Sequence, residues 1–300
     1  MTTSSDGAAA LPDLPELRAT VDDALNVHLP KDTELSEDLL AAMRYATLGN
    51  GKRMRPLLTI AAATGCGASL EDALAPACAL ELIHAYSLIH DDLPAMDDDE
   101  LRHGLPSCHV RFGEANAILA GDALQALAFE TLCGAQGLSQ EVRLRSIQVL
   151  AAAAGPAGMV GGQARDMEAE KQKLSLGELQ RLHAAKTGAL MTAAVQIGAL
   201  VGNASAEQYV LLTEFARRVG LAFQIVDDLL DVTESTEQLG KPAGSDAKAG
   251  KNTYPALMGQ KASRLRAEEL LAEALPMLDR AKIQNPLLGD LAKLSVRRTH

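Results

Sequence analysis

The chain has 300 residues, 47% of them hydrophobic and 22% charged, enough to bury a large core. Its formal net charge of -11 argues against a nucleic-acid partner, though not against an anionic ligand held by local basic residues. Tryptophan is absent and aromatics make up 3%, so the core is aliphatic, a composition that favours close-packed helices over sheets.

The predicted elements follow in order. Residues Met1 to Ala10 have no basic start leading into an apolar stretch, so no signal peptide is expected. Apolar residues at helical spacing run from Leu14 to Leu29 and stop before Pro30; Ser36, with Glu37 and Asp38 behind it, opens a second helix that ends near Gly49-Asn50-Gly51. Pro56 starts a third, with a Leu57 to Ala63 body stopping at Gly65. Ser69, followed by Glu71 and Asp72, caps a long apolar run to Asp92. Further helices are predicted over Glu114 to Cys133, Ser139 to Ala154, Gly158 to Gln172, Ser175 to Gly202, Ala206 to Val232, and from Tyr254 to the C-terminus. No strand pattern of useful length occurs, and no apolar run reaches membrane-spanning length; Ala151 to Gly162 is too short. The four cysteines, Cys66, Cys78, Cys108 and Cys133, lack CxxC spacing, as expected of reduced thiols in a cytoplasmic protein.

Two aspartate clusters stand out. Asp91-Asp92-Leu93-Pro94-Ala95-Met96-Asp97 and Asp227-Asp228-Leu229-Leu230-Asp231 each close an apolar run. One such run alone reads as a solvated helix end. Two, on separate helices, read as a shared site: like charges about 4 Å apart repel by several kcal/mol, which calls for a counter-cation. Hard oxygen donors favour Mg2+, with Mn2+ able to substitute, over Zn2+. His84, His90, His103, Cys108 and His109 show no zinc-ligand spacing. Asp227 and Asp231 share a helix face. Asp91 and Asp97, six apart, do not, so Pro94 must break or bend the chain to re-aim Asp97.

Basic residues suggest the anion. Lys52, Arg53 and Arg55 crowd a turn before a helix, where backbone amides also favour an anion, although a short basic run by itself reads as solvated surface. Arg102-His103 follows the first cluster, and Lys186-Thr187-Gly188 lies inside an apolar helix. Thr233 to Lys251, rich in glycine and mixed charge, reads as a lid beside the second cluster, with Lys241, Lys248 and Lys251 poised over a bound anion; a plain surface connector is the bland alternative. Mg2+-binding carboxylates with scattered Lys and Arg match a diphosphate. His84 and His90 read as packed helix histidines, and Phe223, spaced with Phe215 and Val219, as core.

Gly-Lys-Arg-Met-Arg-Pro at 51 to 56, His84 through Asp98, Gly161-Gly162-Gln163, Lys186-Thr187-Gly188, Phe223 through Asp231 and Gly240-Lys241-Pro242 together resemble the trans-isoprenyl diphosphate synthases, closest to the bacterial farnesyl diphosphate synthases, in order and spacing over nearly the whole chain. The resemblance implies a single all-α domain, a helical bundle around a central active-site cavity, homodimeric, cytoplasmic and not inserted in a membrane. It implies Mg2+-dependent condensation of isopentenyl diphosphate with an allylic diphosphate. By resemblance, Asp91, Asp92, Asp97, Asp227 and Asp231 hold the metal ions. Arg102, Lys186, Lys241 and Lys251 hold the allylic diphosphate; Thr187 and Gln224 set neutral dipoles beside the developing cation. Lys52, Arg55, His84 and His103 hold isopentenyl diphosphate, with His103 standing where the family commonly has a second arginine. Tyr86, five residues before Asp91, is the floor that stops elongation at fifteen carbons. A terpene cyclase would need a more aromatic pocket. A non-catalytic partner subunit would be expected to have lost these carboxylates.

Overall fold

The computed structural model describes residues 11–31, 36–169, 172–233 and 252–297, and those residues are almost wholly helical. The elements are α1 (Leu14–His28), α2 (Glu37–Thr47), α3 (Met54–Gly65), α4 (Leu70–Asp91), a two-strand hairpin β1 (Leu101–Arg102) and β2 (Leu105–Pro106), α5 (Cys108–Phe112), α6 (Glu114–Cys133), α7 (Gln140–Ala154), α8 (Met159–Ala169) and α9 (Leu176–His183). A π-helical turn (Ala184–Gly188) leads into α10 (Ala189–Val201), followed by α11 (Ala206–Thr233), α12 (Tyr254–Met258), α13 (Gln260–Arg280) and α14 (Leu287–Arg297).

The helices begin where side chains satisfy their free amides. Asp13 accepts the Glu16 N–H at 3.0 Å and Ser69 accepts that of Asp72 at 3.1 Å, whereas Ser36 makes no capping bond. In α1 the apolar spacing places Leu17, Val21 and Leu25 on one fully buried stripe. The scarcity of aromatics shows in how closely the helices approach. A Cβ on Gly198 of α10 would lie 2.4 Å from the Thr59 carbonyl oxygen of α3, so these two backbones touch, with Ala62 filling the seam. α4 and the α9–α10 segment are long and apolar enough to cross a membrane, but both are buried mainly against other helices as core elements.

Several boundaries differ from the sequence reading. α3 starts at Met54, not Pro56, because Arg53 takes a left-handed φ of 52° and the proline fits in the first turn, where its missing N–H costs nothing. The helix expected over Ser175 to Gly202 is interrupted by the π turn. The C-terminal helix divides into three at Gly259 (φ 84°) and around Lys282 (φ 53°) and Pro286. The hairpin and α5 had no counterpart in the prediction; β1 and β2 are antiparallel, Leu101 opposite Pro106, and turn through His103 (φ 52°) and Gly104 (φ 77°). The expected lid, 233–251, with Lys241, Lys248 and Lys251, lies outside the described residues apart from the end of α11.

Candidate active site

α3 and α4 on one side, and α8, the π turn and α11 on the other, enclose a cavity of about 880 Å3. Lys52, Arg55, His84, Tyr86, Asp91, Asp92, Arg102, His103, Lys186, Thr187, Gln224, Asp227 and Asp231 all line it. Residues up to 179 positions apart, from Lys52 to Asp231, therefore meet in one space.

The first acidic cluster is a helix end. α4 stops at Asp91, and the chain folds back so that the Leu93 N–H reaches the His90 carbonyl at 3.2 Å and the Asp97 N–H reaches the Asp91 carbonyl at 2.9 Å. Asp98 completes the turn at φ 53°. The break expected at Pro94 is thus present, and it sets the Asp97 backbone against Asp91, with Asp97 beside the cavity and not in its wall. Burial pushes the Asp91 carboxyl up to about 6; the Lys186 charge opposes this and Asp97 adds to it. Asp92, grouped with the metal ligands from sequence, also has a protein partner. It is 2% exposed and grips the Arg102 guanidinium, with Nε at 3.0 Å and a second contact from Nη2, while Arg102 also reaches Asp99 at 3.3 Å.

The basic turn divides its labour. Arg53 is 5% exposed and bonds Asp22 at 2.6 Å, Glu81 at 2.8 Å and the Gly49 carbonyl at 2.9 Å, so this cation holds the turn together. Lys52 and Arg55 line the cavity on either side of it. Burial lowers the Arg55 pKa, with Glu81 and Asp227 opposing, and its buried Nε has no protein partner among the described residues. Burial, then the charges of Arg55, His103 and Arg102, hold His84 well below its ordinary value, so it enters as a neutral ring. His103 is likewise lowered, first by burial and then by Arg102 and Lys52.

On the far wall the π turn presents Lys186 and Thr187. It exists where a glycine lets α8 press against it: a Cβ on Gly162 would lie 2.3 Å from the Lys186 nitrogen, which explains the Gly161-Gly162-Gln163 motif. Lys186 Nζ bonds Asp166 of α8 at 2.6 Å. Thr187 donates its hydroxyl to Gln224 Oε1 at 2.7 Å, and Gln224 Nε2 donates to Asp228 Oδ1 at 3.0 Å. Phe223, expected in the core with Phe215 and Val219, is partly buried against that core and also lines the cavity, and the other two are fully buried. Asp166, Asp228 and His183 were missed. Asp166 carries no motif signal, while Asp228 sits inside a quoted motif.

Whether these residues suit Mg2+ can be judged from the donors. They are hard carboxylate oxygens, which suit an ion that keeps waters and is held by carboxylates together with phosphate oxygens.

An all-helical bundle whose cavity is walled by two aspartate-bearing helices and by Lys and Arg side chains defines a protein that handles diphosphates between facing carboxylates and cations. The family model described as Polyprenyl synthetase matches residues 36–284. The chain is 49% identical over 266 residues to farnesyl diphosphate synthase of Escherichia coli, covering 87% of this chain and 89% of that one. It is 47% identical over 264 residues to geranylgeranyl pyrophosphate synthase 11 of Arabidopsis thaliana, covering 86% and 73%. It superposes on a geranyltransferase of Helicobacter pylori, solved with magnesium and isoprenyl diphosphate, with TM-score 0.84 and 31% identity over 96% of this chain and 98% of that one. The chain belongs to the polyprenyl synthetase family.

Proposed function

We propose that this chain is a prenyltransferase that makes farnesyl diphosphate, joining isopentenyl diphosphate head to tail with dimethylallyl and then geranyl diphosphate. The observation that carries it is the convergence of both acidic clusters, the Lys52 and Arg55 pair, and Tyr86 on one cavity. Similarity to the E. coli farnesyl diphosphate synthase supports the same reading.

Mg2+ held by Asp91, Asp97, Asp227 and Asp231 would supply Lewis-acid charge to the leaving diphosphate. Asp92 fixes Arg102 so that its remaining guanidinium edge meets that diphosphate, and Lys186 adds a second cation. Lys241 and Lys251, which lie outside the described residues, would be further cations for the same diphosphate in this single catalytic domain. Thr187 and Gln224 place neutral dipoles beside the allylic carbon as its charge develops. Lys52, Arg55, His84 and His103 hold isopentenyl diphosphate in line for attack.

Relatives that make longer products leave chain length to the pocket. Tyr86 is 5% exposed, lines the cavity one and a half turns before Asp91, and is braced edge-on by His90 at 5.6 Å between ring centroids. A tail growing along α4 meets this ring. A homodimer is part of the same reading, with α6, whose Leu119 is 52% exposed, as the helix to test at its interface. The protein acts in the cytoplasm.

Incubation with Mg2+ or Mn2+, isopentenyl diphosphate and each allylic diphosphate in turn, with sizing of the products, tests the proposal. The expected main product has fifteen carbons. Absence of any condensation product overturns the reading.

A further inference from the structure

Asp228 is 4% exposed and lies between the catalytic wall and the start of α12. Its Oδ1 accepts from Gln224 Nε2 at 3.0 Å, and its Oδ2 accepts the Tyr254 backbone N–H at 2.9 Å. His183 Nε2 lies 4.0 Å from Oδ2; burial pushes this histidine down to about 4, so the ring is uncharged near neutrality. Two of the contacts of this carboxylate are thus neutral donors, and an ionised carboxylate can only accept.

That one-sidedness has a consequence at Thr187. A glutamine amide can present either its oxygen or its nitrogen to a neighbour. Asp228 requires the Nε2 end of Gln224, which leaves Oε1 for Thr187, and Thr187 then must donate its hydroxyl hydrogen to Gln224 at 2.7 Å. With the hydrogen drawn away, the remaining lone pairs of Thr187 Oγ1 are those available to the cavity. With the amide reversed, Thr187 would accept from Nε2 and its O–H would be released to point elsewhere, the cavity included. The first arrangement turns the negative end of the dipole towards a developing cation; the second can turn the positive end.

We infer that Asp228 is a positioning residue that sets the sign of the Thr187 dipole at the reacting carbon, through the amide orientation of Gln224, and that it is not a metal ligand. This rests on the prenyl-transfer reading above and adds a role for a carboxylate which that reading leaves without one.

Asp228→Asn is isosteric and keeps an oxygen for Tyr254 N–H, but it offers an amide nitrogen towards Gln224 and so favours the reversed amide. The expected result is a fall in kcat of at least about tenfold, with the KM for isopentenyl diphosphate and the half-saturating Mg2+ concentration each within about twofold of wild type. In a Thr187→Val background, the same change costs at most about half as much on a logarithmic scale, because the Thr187 dipole is gone and only that of Gln224 remains. Combining Asp228→Asn with Gln224→Glu restores each hydrogen bond: the new amide at position 228 donates to one oxygen of the new carboxylate at position 224, and Thr187 donates to the other. The kcat of this double variant exceeds that of either single variant. The double variant also decides the matter if Asp228→Asn alone does not fold, with Gln224→Glu as the reference. Wild-type enzyme measured alongside separates the two readings: wild type without prenyl transfer removes the function itself. With active wild type, a rise of tenfold or more in half-saturating Mg2+, full additivity with Thr187→Val, or a double variant no better than the singles overturns the inference.

Discussion

The two acidic clusters look alike as strings of letters but are built on different backbones. The first sits where α4 ends, and a tight turn at 92–98 returns the Asp97 N–H to the Asp91 carbonyl. The second lies within the unbroken helix α11, where a spacing of four alone puts Asp227 and Asp231 on one face. In both, the second carboxylate of the adjacent pair is almost fully buried and committed to the protein, Asp92 at 2% exposed and Asp228 at 4%. Their partners differ: Asp92 binds the charged Arg102, and Asp228 binds the neutral Gln224 amide and the Tyr254 N–H. In a cluster of like charges, then, part of the charge serves to organise the groups around it.

The comparison can be broken first at the leading aspartate of each pair. Asp91→Ala and Asp227→Ala are each expected to lower kcat by about a hundredfold or more with the fold retained by circular dichroism. Near-normal turnover at saturating Mg2+ in either variant would remove that aspartate from the metal site. Asp92→Asn is expected to cost less, about tenfold, because it loses a charge-assisted bond to Arg102 and not a metal ligand. Its half-saturating Mg2+ concentration stays at the wild-type value; a large increase would place Asp92 on the metal.

Tyr86→Ala opens the cavity below the first cluster and is expected to move the main product from fifteen to twenty carbons or longer. An unchanged product distribution would show that Tyr86 only packs.

A pH experiment separates the clusters without activity. Asp91 is raised from an ordinary 3.8 to about 6, so the folded protein binds that proton more tightly than the unfolded chain does. Its contribution to stability is complete below the ordinary value and is lost as pH rises through about 6. Without Mg2+, the wild-type Tm should fall by a few degrees more than that of Asp91→Asn between about pH 4 and 6.5. Parallel curves would show that Asp91 does not carry the effect.

The smallest effect is expected at the hairpin tip. His103 is lowered by burial and by neighbouring Arg102 and Lys52, so it adds little positive charge near neutrality. His103→Arg should lower the KM for isopentenyl diphosphate by about two- to fivefold, leave that for the allylic substrate nearly unchanged, and flatten the pH dependence on the acid side of the ordinary histidine value of 6.5. If neither the constant nor its pH profile moves, position 103 does not touch that substrate.

Most helices were legible because each has an internal signal. Ser69 caps α4, and Leu17, Val21 and Leu25 mark the inner face of α1. The hairpin and α5 were not legible, since a two-residue strand has no periodicity to read. Within the basic turn, the letters could not tell Arg53 from Lys52 and Arg55. That depends on Asp22 and Glu81, which come from α1 and α4.

By itself the sequence determined the helical class, the pairing of two acidic clusters with scattered cations, and the motif order that marks the family, because these rest on local spacing and charge. Only the tertiary structure decided which carboxylate of each pair is tied to a protein partner, where the π turn falls, and which way the Gln224 amide points. Those follow from contacts between distant segments: Gly162 against Lys186, Arg102 against Asp92, and Asp228 against Tyr254. A side chain takes its role from the partner that packing brings to it, and that partner lies elsewhere in the chain.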